Sequence, residues 1–206
     1  MPTDPRTHAL GETKPLGPVD RFGNWLSMRT LERHVGSPVG KRIADIGSGF
    51  EAVIGRRFGA RAESVVIVDL SLSPAVHATP NVTAVEGRLP EVMATLPDGT
   101  VDIALCVSVL EHLEDPAATL VELRRVLAPG GVLFVNVPSW AGKRFLEFSA
   151  FRLGLSPREE MDDHKTYYDP RDLWPMLVAA GFLPHAITCR RHKGGLNTFA
   201  VCKIAP

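Results

Sequence analysis

The residues with the clearest chemical potential cluster in Ile43-Ala44-Asp45-Ile46-Gly47-Ser48-Gly49-Phe50-Glu51-Ala52. An apolar strand that turns into a helix through two glycines is expected to expose backbone amides and let a ligand approach the main chain. Asp69 follows Gly49 by 20 residues, at the end of the next apolar run, Ser64 to Asp69. A carboxylate there can accept hydrogen bonds from both hydroxyls of a ribose. Gly47 to Ala52 also fits the G-x-G-x-x-G/A fingerprint, so a nucleoside is the expected ligand class.

Two histidines stand where acid–base chemistry is plausible. His112 follows the apolar run Val101 to Val107, and His164 sits in Met161-Asp162-Asp163-His164-Lys165-Thr166-Tyr167-Tyr168. Each reads either as a general base or as a loop residue. Asp162-Asp163-His164 has no second ligand cluster at telling spacing, so no metal is expected. Arg190-Arg191-His192-Lys193 is the one basic cluster; it reads as a solvated turn or as a contact for a phosphate, carboxylate or sugar-nucleotide. Cys106, Cys189 and Cys202 form no CxxC pair and read as free thiols in a reducing compartment.

The elements that must hold these groups follow a regular alternation. A helix is expected from Asp20 to Val35, where Phe22, Trp25, Leu26 and Met28 to Leu31 recur at helical spacing; Trp25 and Met28 could cover a ligand or pack in the core. Strands are expected at Arg42 to Ile46, Ser64 to Asp69, Asn81 to Glu86, Val101 to Val107 and Val132 to Val137. Helices are expected at Glu51 to Phe58, Pro116 to Leu127 (N-capped by Asp115 and stopped by Pro129-Gly130-Gly131) and Pro170 to Ala180, with a further helical stretch around Phe145 to Phe151. Runs near Ile187 and at Thr198 to Lys203 suggest an antiparallel finish. The fold class is α/β: a Rossmann-like, doubly wound, mostly parallel seven-stranded sheet with an antiparallel C-terminal strand and helices on both faces.

Residues 1–18, with four prolines, read as an extended or disordered lead-in, and 19–206 as a single domain. Within it, 139–169 is an insertion expected to form part of an acceptor site. A chain of 206 residues can bury roughly 70% of its unfolded surface around one core. The balance of 23 Lys+Arg against 23 Asp+Glu argues against a nucleic-acid partner, whose affinity needs clustered positive charge. No apolar run is long enough for a membrane span and no secretory signal is evident, so a cytoplasmic protein is expected.

Asp45, two residues before Gly47, discriminates among nucleosides. A carboxylate there would repel a pyrophosphate but favours the ammonium and sulfonium of S-adenosyl-L-methionine. At this point the chain resembles the class I S-adenosylmethionine-dependent methyltransferases of the small-molecule, type 11 group. IADIGSGFEA resembles their first motif, VVIVDLS the second-strand acidic motif and VDIALCVSVLEHLEDP the fourth-strand motif. LVELRRVLAPGGVLFVNVPS and HKTYYDPRDLWPMLVAAGF are similar to later segments in the same order.

The resemblance implies that Asp45 and the turn Gly47-Ser48-Gly49 bound the methionine end of the cofactor, with Ser108 beside it. It implies that Asp69 holds the ribose, that Leu70 packs on the adenine, and that backbone near Gly87 and Arg88 meets the adenine edge. Two positions depart from the family pattern: Glu51 in the glycine motif, and Arg88 where an acidic residue is common. The implied activity is methyl transfer to a small-molecule acceptor, at a hydroxyl oxygen in the leading reading. An NAD-dependent oxidoreductase and a non-catalytic S-adenosylmethionine-binding partner are the alternatives.

Overall fold

The computed structural model describes residues 8–13, 17–143 and 165–206. Seven strands form one sheet: β1 (Arg42–Ile46), β2 (Ser64–Asp69), β3 (Val82–Glu86), β4 (Val101–Val107), β5 (Leu127–Pro138), β6 (Ile187–His192) and β7 (Asn197–Lys203). The order is β3-β2-β1-β4-β5-β7-β6. Strands β1 to β5 pair in parallel, and β7 runs antiparallel to both β5 and β6.

The helices are α1 (Pro18–Val35), α2 (Val53–Phe58), α3 (Pro74–His77), α4 (Pro116–Val126) and α5 (Pro170–Ala179). Alternation along each strand sends side chains to two separate cores. Ile103 and Leu105 of β4 pack with Met28 and Leu31 of α1, Ile54 and Phe58 of α2 and Val76 of α3. Ala104 and Cys106 face the other way, toward Leu120 and Leu123 of α4 and Leu173 and Leu177 of α5. Both faces of the sheet are therefore covered, as the continuous apolar strands require.

Proline and polar caps start the helices where expected. The Asp115 side chain accepts from the Ala118 amide (2.9 Å) ahead of Pro116, and Asp169 and Asp172 form a capping box on α5. One boundary differs from expectation. Pro129-Gly130-Gly131 does not separate helix from strand; it is a bulge inside β5, which begins at Leu127. Leu127 pairs with Val101 and Val132 with Ile103, so the intervening residues are extra. Gly130 takes φ +74°, and a Cβ on Gly131 would lie 2.7 Å from the Ala128 carbonyl, so glycine is what lets the bulge form. The expected helical stretch around Phe145 to Phe151 lies outside the described residues, as does His164. Of the 139–169 insertion, residues 139–143 and 165–169 are described.

Candidate active site

The strand order reverses between β1 and β4, so the loops after these strands diverge and leave a crevice at their carboxyl ends. The crevice opens into a cavity of about 1700 Å³. Asp45, Gly47, Ser48, Gly49, Asp69, Leu70, Gly87, Arg88, Ser108 and His112 all line it. Among the described residues three non-glycines adopt positive φ, Ala52 (44°), Ser108 (59°) and Lys193 (51°), and all three line this cavity too. Backbone held in that region costs free energy and concentrates at functional sites.

The glycine turn is more closed than its sequence suggests. The Gly47 and Ser48 amides donate to the Val68 carbonyl (2.8 and 3.2 Å) and the Phe50 amide to the Leu10 carbonyl (2.8 Å). The Gly49 amide donates to Asp69 Oδ2 (2.7 Å), while the Leu70 amide donates to Asp69 Oδ1 (2.7 Å). All four amides from Gly47 to Phe50 are thus engaged within the chain, so the turn offers no nest of donors for a pyrophosphate. Residues 8–12, expected as part of a free lead-in, lie across this turn: a Cβ on Gly49 would meet the Leu10 carbonyl at 3.2 Å, and Glu12 accepts from Ser71 Oγ. Glu51 neither caps α2 nor lies free; it accepts from Ser73 Oγ (3.2 Å) and pairs with Arg56 (3.6 Å). The carboxylate nearest the third strand's end, Glu86, is used by the Leu72 amide (2.7 Å) and His77, which leaves Gly87 and Arg88 to face the cavity.

Asp45 is buried under α2, where a Cβ on Gly55 would lie 2.4 Å from its Oδ2. Burial pushes its carboxyl up to about 7; a hydrogen bond from the Gly55 amide opposes the rise and the Asp69 charge adds to it. In the sequence Asp45 reads as a fixed charge; the fold makes it a proton-holding group near neutrality. Its folded value lies above the unfolded 3.8, so its contribution to stability falls as pH rises from about 4 to about 7. His192 has the opposite sign. Burial, then the charges of Lys193 and His34, lower it from 6.5 to about 4, so its contribution is lost as pH falls through that interval. Between pH 4 and 6.5 the two slopes offset. Removing one in Asp45→Asn is expected to tilt ligand-free stability upward with pH, by up to about 1.4 kcal/mol per unit. Urea unfolding across that range checks this; an unaltered pH profile in the variant would contradict a protonated Asp45.

The other half of the cavity is built from the ends of β4, β5 and β7 and from α1. The turn Leu110–His112 carries His112 on its cavity side and Glu111, which is buried. It is pinned by the Tyr168 hydroxyl on the Leu110 carbonyl (3.3 Å) and the Lys165 amide on the Glu111 carbonyl (2.7 Å). Met28 of α1 is buried in the core and also borders the cavity, while Phe22 and Trp25 are exposed, stack at 5.6 Å and line it. The basic cluster does not form one patch. Arg191 pairs with Asp169 (2.6 Å) and His192 hydrogen-bonds the fully buried Asn136 (2.6 Å) and Thr30 of α1 (3.2 Å). Lys193 turns into the cavity. In the sequence Lys193 stands only within a run of charges; the glycine pair behind it is the one local signal of an unusual turn.

All three cysteines are free, and no group of three or more possible metal ligands occurs among the described residues. No helix among them is long and apolar enough to cross a membrane.

Residues 44–135 match the methyltransferase domain family of type 11. The chain is 27% identical over 183 residues to the ubiquinone biosynthesis O-methyltransferase of Aeromonas salmonicida (strain A449), covering 84% of this chain and 74% of that one. It is 29% identical over 180 residues to the enzyme of the same name from Pseudomonas aeruginosa (strain LESB58), covering 82% and 74%. Among solved structures, a SAM-dependent methyltransferase from Archaeoglobus fulgidus superposes with a TM-score of 0.63 at 14% identity, over 87% of this chain and 94% of that one. The 1,6-didemethyltoxoflavin-N1-methyltransferase of Burkholderia thailandensis, solved with S-adenosylhomocysteine, gives 0.62 at 18%, over 91% and 80%. Identity this low shows a shared fold. With the type 11 domain match, the chain is a class I S-adenosylmethionine-dependent methyltransferase, and its cofactor is S-adenosyl-L-methionine. The oxidoreductase and non-catalytic readings give way to it.

Proposed function

We propose that this enzyme methylates a hydroxyl oxygen of a small-molecule acceptor, with cofactor and acceptor sharing one elongated cavity. The observation that carries this is size and extent. A single small-molecule site typically occupies about 300–1,000 Å³, and this cavity has about 1700 Å³. It runs along the sheet edge from β2 to β7, four strand spacings or roughly 19 Å at about 4.8 Å each. The curated relatives named as O-methyltransferases support oxygen as the target.

The residues present suit the cofactor. Asp69, fixed by two backbone amides, is the acceptor for the ribose hydroxyls; Leu70 packs on the adenine, and Gly87 and Arg88 bound its edge. Asp45, the turn Gly47-Ser48-Gly49 and Ser108 enclose the methionine end, where engaged amides and a buried carboxyl suit cations rather than phosphate. When bound, S-adenosylmethionine supplies a methyl group activated by its sulfonium. Positioning the acceptor can then contribute about 7–11 kcal/mol, against roughly 3–5 kcal/mol from a general base. His112 is the base of this reading, taking the proton from the acceptor hydroxyl; His164 is the second candidate for that role.

Incubation with methyl-labelled cofactor and a panel of phenols, alcohols, amines and carbon acids tests the proposal. Label on oxygen is expected, and His112→Ala should lower turnover about 10²–10⁴-fold while cofactor affinity holds. Label confined to nitrogen or carbon would overturn the assignment to oxygen.

A further inference from the structure

We propose that Lys193 is the acceptor-side counter-ion, so that the site selects a planar, largely apolar acceptor carrying an oxyanion. The inference rests on the acceptor occupying the half of the cavity bordered by β7 and α1, as proposed above. Four observations support it.

Lys193 lies on the turn between β6 and β7 with its side chain half-buried and lining the cavity. Its ammonium makes no hydrogen bond or ion pair among the described residues, although Arg191, two residues earlier, is paired with Asp169. An unpartnered ammonium out of bulk water is costly, and an incoming anion removes that cost.

The fold also makes room for it. Gly23 lies within α1, where glycine costs about 1 kcal/mol relative to alanine, and a methyl group there would come within 3.9 Å of Lys193 Nζ. Larger side chains at that position would occupy the space in front of the ammonium.

The backbone of Lys193 sits at φ +51°, ahead of Gly194 (66°) and Gly195 (91°). Asparagine or glycine would adopt that conformation at lower cost, so the lysine is kept at the expense of local strain. Burial pushes its ammonium down to about 8, with Glu111 opposing the fall, so it remains mostly charged at neutral pH without a contacting carboxylate. Phe22 and Trp25, exposed on α1 and stacked on each other, offer flat apolar surface in the same cavity.

The oxyanion can be an ionised acidic hydroxyl or a carboxylate, and three matched probes separate these: 4-nitrophenol, 4-nitrobenzoate and neutral 4-nitrobenzamide. Calorimetry uses the full chain saturated with S-adenosylhomocysteine, comparing the unaltered protein with Lys193→Asn and Lys193→Arg. At least one anionic probe is expected to bind about tenfold or more tightly than the amide, as a charge-assisted contact implies. Preference for 4-nitrophenol, read also as its ionised absorbance appearing at lower pH, assigns the hydroxyl; preference for 4-nitrobenzoate assigns the carboxylate. Lys193→Asn should erase the preference while melting no lower than the parent, and Lys193→Arg should keep part of it. Charge-blind binding, or a preference that survives in Lys193→Asn, overturns the role of Lys193 and leaves the methyltransferase reading intact. If S-adenosylhomocysteine binds but none of the three probes does, this inference and the small-acceptor reading fall together.

Discussion

Replacing Asp69 with alanine is expected to weaken S-adenosylhomocysteine binding by about 3–6 kcal/mol, a loss of roughly 10²–10⁴-fold. Two hydroxyl contacts to a charged carboxylate account for most of that figure. The remainder comes from the protein itself, because the same carboxylate holds the Gly49 amide (2.7 Å) and the Leu70 amide (2.7 Å). Asp69→Asn separates the two contributions. It keeps one acceptor oxygen but introduces donors facing an amide, so an intermediate loss is expected. Calorimetry on ligand-free variants whose melting has been checked reads the effect directly. Near-parental affinity in Asp69→Ala would refute the ribose assignment.

Gly47→Ala is expected to be costly to the fold. Gly47 adopts φ +71°, which disfavours any Cβ by about 1–2 kcal/mol. The added methyl would also lie 2.4 and 2.7 Å from the two γ-methyls of Val109. Relieving such overlap costs about 1–3 kcal/mol more. A total near 3–4 kcal/mol corresponds to a fall of roughly 10 °C in melting temperature for a chain this size. Gly47→Ala combined with Val109→Ala should recover the steric part and not the conformational part. If the double variant is no more stable than expected from adding the two single effects, the close approach of the β1 and β4 loops is not what limits this position.

The parts of the molecule legible in the sequence are those set by local patterning. β1, β2 and β4 fall where continuous apolar runs placed them, because a strand buried on both faces has no polar alternation to hide it. Asp69 was legible because strand length and the crossover fix its spacing from Gly49. Chain-distant contacts were not. The proton held by Asp45 depends on Gly55 closing α2 over it. The engagement of the Phe50 amide depends on Leu10, from a segment whose composition suggested no structure. The bulge at Pro129-Gly130-Gly131 imitates a helix stop, because the residues that end helices also permit an extra residue in a strand. The dispersal of Arg190 to Lys193 reflects strand alternation followed by a left-handed turn, which a lysine does not advertise.

In this reading the β1–β3 half of the cavity is the cofactor site and the β4–β7 half receives the acceptor. A crystal structure of the full chain with S-adenosylhomocysteine tests it most directly. Both ribose hydroxyls are expected within hydrogen-bonding distance of Asp69, the adenine against Leu70 and Gly87, and the homocysteine along Gly47 to Gly49 with its sulfur toward Ser108 and His112. Nucleoside density on the Lys193 side, or a ribose with no contact to Asp69, would contradict it.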